Sequence, residues 1–319
     1  MGALLHFYDK YKKMIIAAGM ILLLFAIGEM IVGTFFSVNQ VLLSVKVAAF
    51  IALFGLCQMI VIASGGGGLD LSVGFNATLT AILVARICDG QNANLPLAIL
   101  VVVVVGSLIG AANGIFTAYM QLPPLIVTMA MASVIQGIIN VYTAGRSITG
   151  RPAPILVEIA AKSTGQFPNI LFVLAILTAL VMLIIYKTRW GTELLGVGAN
   201  DTVAYLSGVN VKRVRFFAFV VCGAIAGIVG LLLVGNMGQA FKDMGSNYVM
   251  PSIAAVVVGG ISLSGGEANY IGVLIGSVML QTLTNVFVAL GWGDAGKWTG
   301  FGVILVLMLI AYVPSRRNR

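Results

Sequence analysis

The chain has 319 residues, of which 60% are hydrophobic and only 9% charged, with a mean hydropathy of +1.08. A water-soluble domain would carry about a quarter charged residues and could not shield so much apolar surface, so a soluble enzyme or binding module is excluded. The net charge of +8 does not mark a nucleic-acid binder either: no basic stripe interleaved with aromatics lies outside the apolar segments.

A helix needs about 20 apolar residues to cross the hydrocarbon core. On that scale the sequence predicts an all-α polytopic membrane protein of about ten transmembrane helices, near 14–36, 41–64, 71–88, 95–120, 123–144, 168–186, 214–237, 248–263, 268–290 and 298–313. Long continuous apolar runs, rather than alternating ten-residue strands, exclude a barrel. The first run follows Lys10, Lys12 and Lys13; it is too long for a signal-peptide core and no small-residue cleavage site closes it, so it reads as a retained helix. His6, ahead of it, reads as a solvated tail residue. Glu29 and Lys46, inside the first and second runs, read as snorkelling or paired charges. Cys57, Cys88 and Cys222 are isolated and lack metal-ligand spacing, which makes them small packing residues.

The second run ends in Ser64–Gly74, SGGGGLDLSVG. Consecutive glycines cost a helix about 1 kcal/mol each, so the span must end or unwind there. Asp70 and Ser72 are good capping residues, and the chain is expected to restart as a helix near Leu71. Residues 67–74 align with 259–266, GGISLSGG, at five of eight positions. Paired glycine-interrupted segments are what an inverted repeat leaves in a transporter sequence, and two such breaks are expected to meet near a pseudo-two-fold axis beside a translocation path. Gly67, Gly68, Asp70, Ser72, Gly259, Gly260, Ser262 and Ser264 are therefore the gate or pore candidates, with helix capping as the plain structural role for Asp70. The small-xxx-small sets Gly106/Gly110/Gly114 and Gly223/Gly227 read as helix-packing faces.

Residues 187–213 form the most polar internal stretch, and the 145–167 loop is the other long connection. An even number of spans puts both termini on one side, and the positive-inside rule chooses it. With the termini inside, that side collects Lys10, Lys12, Lys13, Lys187, Arg189, Lys212, Arg213, Arg215, Arg316, Arg317 and Arg319, against Arg86, Arg146, Arg151, Lys162, Lys242 and Lys297 outside. The chain reads as a single transmembrane domain over 1–319, with no soluble domain and no G-x-x-x-x-G-K-[ST] phosphate loop, so energy must come from a partner or an ion gradient.

The core of the inner stretch, 196–210, reads as a short amphipathic helix flanked by glycines. Asn200 or Asp201 caps it, and Val203, Ala204 and Leu206 form its apolar side. With Thr188-Arg189-Trp190-Gly191 before it and Lys212-Arg213-Val214-Arg215 after it, this stretch resembles the coupling loop of the ribose-type branch of ABC importer permeases. GGLDLSVG at 67–74 and IAAVVVGGISLSGG at 253–266 also look like signatures of that family, in the expected order, so the resemblance runs over nearly the whole chain. The chain departs from many relatives at Val249-Met250-Pro251-Ser252, where an acidic residue is common, and in the outer loop, which bears on the solute more than on the family.

The resemblance implies a 187–213 cytoplasmic coupling loop whose helix docks on an ATPase, with Gly198, Ala199, Asn200, Asp201, Ala204, Leu206, Ser207 and Gly208 as its residues. It implies further partners: membrane lipid, a second permease copy or a paralogue, two cytoplasmic ATPase subunits (or one fused double ATPase), and an extracytoplasmic solute-binding protein, with no nucleic acid. No cofactor is expected in this chain; ATP and Mg belong to the partner ATPase. Asn76, Asn113, Gln136, Asn140, Gln281 and Asn285 are candidates for a polar pore lining suited to a hydroxyl-rich solute, or for helix–helix hydrogen bonds. The expected cargo is a monosaccharide, with a nucleoside, polyol, signalling sugar or branched-chain amino acid as alternatives. A stand-alone secondary carrier would need an ion-coupling carboxylate near the bilayer centre, and only Glu29 and Asp70 offer one.

Overall fold

The computed structural model describes residues 2–144, 150–293, 295–296, 298–300 and 302–303, with side chains from residue 16 onward. The expected 298–313 span is thus described only at its start; Arg146, Lys297, Arg316, Arg317 and Arg319, and the side chains of His6, Lys10, Lys12 and Lys13, lie outside the described residues.

The architecture is the expected all-α one. α1 (Gly2–Val32) begins well ahead of the predicted boundary at residue 14, because residues 3–13 hold no glycine or proline to stop it. Glu29 accepts a hydrogen bond from the Phe36 amide at 2.7 Å and so closes the turn after α1. α2 (Val38–Ala63) is buried along its whole second half and is the central post of the molecule. α3 (Val73–Cys88) and α4 (Leu95–Gly114) follow, and α4 runs on into one π turn, Ile115–Tyr119. After α5 (Pro124–Thr143), the short α6 (Pro154–Ala160) and a two-stranded hairpin, β1 (Ser163–Thr164) with β2 (Phe167–Pro168), lie at one end of the bundle. α7 (Ile170–Lys187) leads to the other end, where α8 (Arg189–Ala199) and α9 (Asp201–Leu206) lie. α10 (Val211–Met237), α11 (Val249–Val258) and α12 (Tyr270–Ala289) complete the described elements. Lys46 donates to the Ala161 carbonyl at the α6 end, so this charge is paired.

Among the described residues, six helical stretches are long and apolar enough to cross a membrane. α3 and α11 are not: at 1.5 Å per residue they rise about 24 and 15 Å, against about 30 Å of hydrocarbon. The expected 248–263 span is therefore corrected to a half-helix that stops at Val258. Ahead of it, 238–245 is non-helical and Ser246–Tyr248 forms one 3-10 turn. Tyr248 stacks on Phe54 of α2 with ring centroids 5.2 Å apart, and the Gly245 amide donates to Thr78 Oγ1 at 3.0 Å. Met244 and Gly245 of this stretch are buried against the bundle, where non-helical backbone is enclosed by protein, whereas Phe241, Asp243 and Asn247 are exposed.

α10 packs along α4, α3 and α2, and α12 along α2, α1 and α11. The expected small-residue faces are the α4–α10 interface. A Cβ on Gly106 would strike the Gly223 carbonyl and one on Gly223 the Gly106 carbonyl, while Gly110 lies against the Phe219 carbonyl and Gly227 against that of Val102. The three cysteines are free and buried, in line with the packing role expected of them.

Candidate coupling and gating site

The glycine run unwinds α2 as expected. Gly65, Gly66 and Gly67 take left-handed φ values of +73°, +64° and +71°, which side-chain-bearing residues rarely adopt. The chain then turns back into the bundle. Gln58, one and a half turns before the end of α2, brackets the backbone of Asp70: its amide nitrogen donates to the Asp70 carbonyl at 2.7 Å, and its amide oxygen accepts from the Asp70 N–H at 3.2 Å.

Asp70 is 1% exposed and forms no salt bridge among the described residues. Its Oδ1 accepts from the Ser72 N–H at 2.8 Å and the Ser72 hydroxyl at 2.6 Å. Asn113 on α4 donates to the carboxylate at 3.4 Å and to Ser72 Oγ at 2.9 Å, and the Cys222 thiol on α10 approaches Oδ2 at 3.6 Å. Donors from three elements thus converge on a carboxylate that would otherwise be untenable at this depth. Ser72 is the N-cap residue of α3 but makes no side-chain cap bond, so the helix begins at Val73 rather than Leu71. Asp70 shapes the turn before that helix instead of capping it.

The second break runs from Gly259 to Asn269. Gly260, Gly265 and Gly266 are left-handed there, at +95°, +94° and +79°. These do not fall at the positions that match Gly65–Gly67 when 67–74 is aligned with 259–266, so the two breaks share composition but not backbone course. Gly259 is pressed against Gly272 of α12; Ser262 Oγ accepts from the Ser264 amide at 3.2 Å, and Ser264 is exposed. Asn269 caps α12 through the Gly272 amide at 3.1 Å.

The inner loop is not one helix over 196–210. Residues up to Ala199 belong to α8, and Asn200, extended at φ −161° and ψ 105°, separates it from α9. The Asn200 side chain accepts from the Val203 amide at 3.0 Å, which is the cap the sequence offered, while Gly208 follows α9 at φ +84°. On α9, Ala204 is buried whereas Val203, Tyr205 and Leu206 are 57%, 70% and 79% exposed. Ser207 Oγ donates to the Val203 carbonyl, and Asp201 forms an ion pair with Arg215 on α10 at 3.2 Å.

Three separate sequence motifs meet at one point. A Cβ on Gly198 would run into the Ala63 carbonyl and the Gly266 amide; one on Gly65 would lie 2.9 Å from Gly198 Cα, and one on Gly266 2.7 Å from Ala199 Cα. The Gly266 amide donates to the Ala63 carbonyl at 3.1 Å, which ties the second break to the end of α2. The two breaks and the end of α8 are therefore in backbone contact. Gly68 is buried against Val61, whereas Gly67 has open space around it.

Beside this junction opens a cleft of 1050 Å³, walled by Ser64, Gly65, Gly66 and Gly68, by Thr117 and Gln121 to Pro124 beyond α4, and by Asp201, Tyr205 and Arg215. Asp70, Ser72 and the second break do not line it. Of the other polar residues, Asn76 donates to the Gly223 carbonyl at 3.2 Å, and Asn113 belongs to the Asp70 cluster. Gln281 donates to Asn285 at 2.9 Å and Asn285 to Ser44 on α2 at 2.8 Å, an interhelical chain. Gln136 and Asn140 lie on α5, where Asn140 is exposed and the Gln136 amide oxygen is buried without a partner. Sequence reasoning missed Gln58, Cys222 and Arg215. Gln58 is the one polar side chain in the last turns of an apolar run, and Arg215 reads in sequence as a topological charge and as the end of the basic stretch after the coupling loop.

The comparisons agree with this anatomy. Residues 39–312 match the family described as "Branched-chain amino acid transport system / permease component". The ribose import permease protein RbsC of Haemophilus influenzae is 31% identical over 91% of this chain and 90% of its own length. That of Escherichia coli K12 is 28% identical over 91% and 90%, and the fructose import permease protein FrcC of Rhizobium meliloti 28% over 95% and 85%. No solved structure shows a significant match. The chain belongs to this family of transport-system permease components and, within it, to the ribose-type ABC importer permeases.

Proposed function

We propose that this chain is the membrane-spanning subunit through which a ribose-like monosaccharide is imported, powered by ATP and Mg bound in separate ATPase subunits. α8 and α9, within 187–213, form the cytoplasmic coupling element, both termini lie in the cytoplasm of a bacterial inner membrane, and an extracytoplasmic binding protein delivers solute at the α6 end. Two permease chains, identical or paralogous, pair with two ATPase subunits or one fused double ATPase. The observation that carries this reading is α9 itself. An apolar side of a short helix stands exposed at an end of the bundle that also carries Lys187, Arg189, Lys212 and Arg213, and such a patch marks a protein partner rather than solvent. The sugar cargo is supported by the names of the relatives, and the hydrogen-bonded Asp70 carboxylate speaks against an ion-coupled carrier.

The test is purification from native membranes in mild detergent. An ATPase subunit recovered in equal amount with the wild-type chain, and lost with Leu206→Asp, is the expected result. A single polypeptide that still moves ribose in ATP-free vesicles would overturn the reading.

A further inference from the structure

We propose that Arg215 is a positioning residue that transmits displacement of α9 to the first break. This rests on reading α9 as the ATPase-docking helix, and names the side chain through which its motion reaches the membrane segments.

The end of α8 sits in close backbone contact with both breaks at Gly198, Gly65 and Gly266 and packs with them as one unit. α9 is different. It follows α8 through the extended Asn200 and rests on the core through Ala204, while its Asp201, Thr202 and Tyr205 face the 1050 Å³ cleft. One guanidinium bridges the gap: Arg215 Nε donates to the Ser64 carbonyl at 3.2 Å, and Nη2 pairs with Asp201 Oδ2 at 3.2 Å. Gly66 lies close against the same group, since a Cβ there would stand 3.0 Å from Arg215 Cζ. Ser64 is the C-cap of α2, whose last carbonyls lack helical partners. Its carbonyl is therefore a handle on the point where the span unwinds.

The chemistry requires arginine. Nε and Nη2 share one edge of a rigid plane and can hold a carbonyl and a carboxylate at once, whereas a lysine ammonium is a single flexible point charge. A displacement of α9 carries Asp201, draws the guanidinium, and moves the Ser64 carbonyl with the left-handed glycines behind it. Those glycines absorb the change in backbone angle with no side chain to clash. Arg215→Lys should therefore leave α9 attached to the ATPase and disconnect it from the break.

The experiment uses the complete complex with its ATPase and spin labels on cysteines introduced at Thr202, Leu122 and the partly exposed Leu71, which leaves the left-handed glycines in place; the native cysteines are buried and free. The Thr202–Leu122 distance reads α9 across the cleft, and Leu71–Leu122 reads the break. In the wild-type background both distances should shift on adding a non-hydrolysable ATP analogue with Mg. In Arg215→Lys the first shift should persist and the second be lost. Asp201→Asn, at an exposed position, should give the same split, and the double variant no more than either alone. A break that still shifts in both variants would overturn the proposal. If Thr202 itself does not respond in the wild-type background, it is the docking assignment that fails.

Discussion

The two glycine-rich breaks are held in opposite ways. The first, 64–72, is fastened by side chains, with Gln58 clamping the Asp70 backbone and Ser72, Asn113 and Cys222 surrounding its carboxylate. The second, 259–269, is seated mainly by shape. Gly259 abuts Gly272, and Gly276 of α12 abuts the Ala255 carbonyl and the Gly259 amide, while the break's polar contacts include the Gly266 amide on the Ala63 carbonyl, the local Ser262 bond, the Asn269 cap and the Tyr186 hydroxyl on the Ala268 carbonyl. A hydrogen-bonded carboxylate fixes a segment at one place, because moving it strands buried donors. Backbone seated against backbone resists a larger residue but loses little by a small slide. The first break is thus the anchored one, and the second is the one whose course follows its neighbours.

Substitutions can sharpen or break this contrast. The largest effect is expected from Asp70→Leu, which strands the donors aimed at the carboxylate and should cost about 3–5 kcal/mol, read as a collapse of the thermal unfolding midpoint in detergent. A midpoint near that of the wild type would show that the cluster does not hold the first break. Next, Gly276→Leu, on α12 where it presses on the Gly259 amide of the second break, should cost about 1–3 kcal/mol or more by overpacking. Gly67→Ala in the first, where the surroundings are open but φ is +71°, should cost about 1–2 kcal/mol through left-handed strain alone. If the order of those two were reversed, shape would matter less at the second break than argued here. The smallest effect belongs to Ser262→Ala, expected to change stability by less than about 0.5 kcal/mol because its bond is local and partly solvated.

Hydropathy revealed the helices, and the glycine runs revealed both places where they fail. The inner loop was legible from its polarity and its flanking glycines. What could not be read was proximity. Gly65, Gly198 and Gly266 are far apart in the chain, and nothing in a glycine's own sequence context says which backbone it will touch. The burial of Met244 and Gly245 was hidden for a related reason, since Phe241–Tyr248 contains Lys242, Asp243 and Asn247 and averages as a surface loop. The inward part of this stretch follows only from Gly245 on Thr78 and Tyr248 on Phe54. Asn76, Asn113, Gln281 and Asn285 showed the matching ambiguity: a lone amide in an apolar span reads equally as pore lining or as helix glue until its partner is seen.

The packing of α4 against α10 has a consequence for how this chain can vary over generations. At Gly106, Gly110, Gly223 and Gly227 the atom that bars a side chain is in each case a carbonyl oxygen of the opposing helix. When the obstacle is a side chain, a second mutation can trim it and restore the fit. A carbonyl is present whatever residue carries it, so no compensating change exists. Lineages that lose one of these glycines have no local route back except reversion, and variation in this subunit should instead accumulate on surfaces that another residue can accommodate.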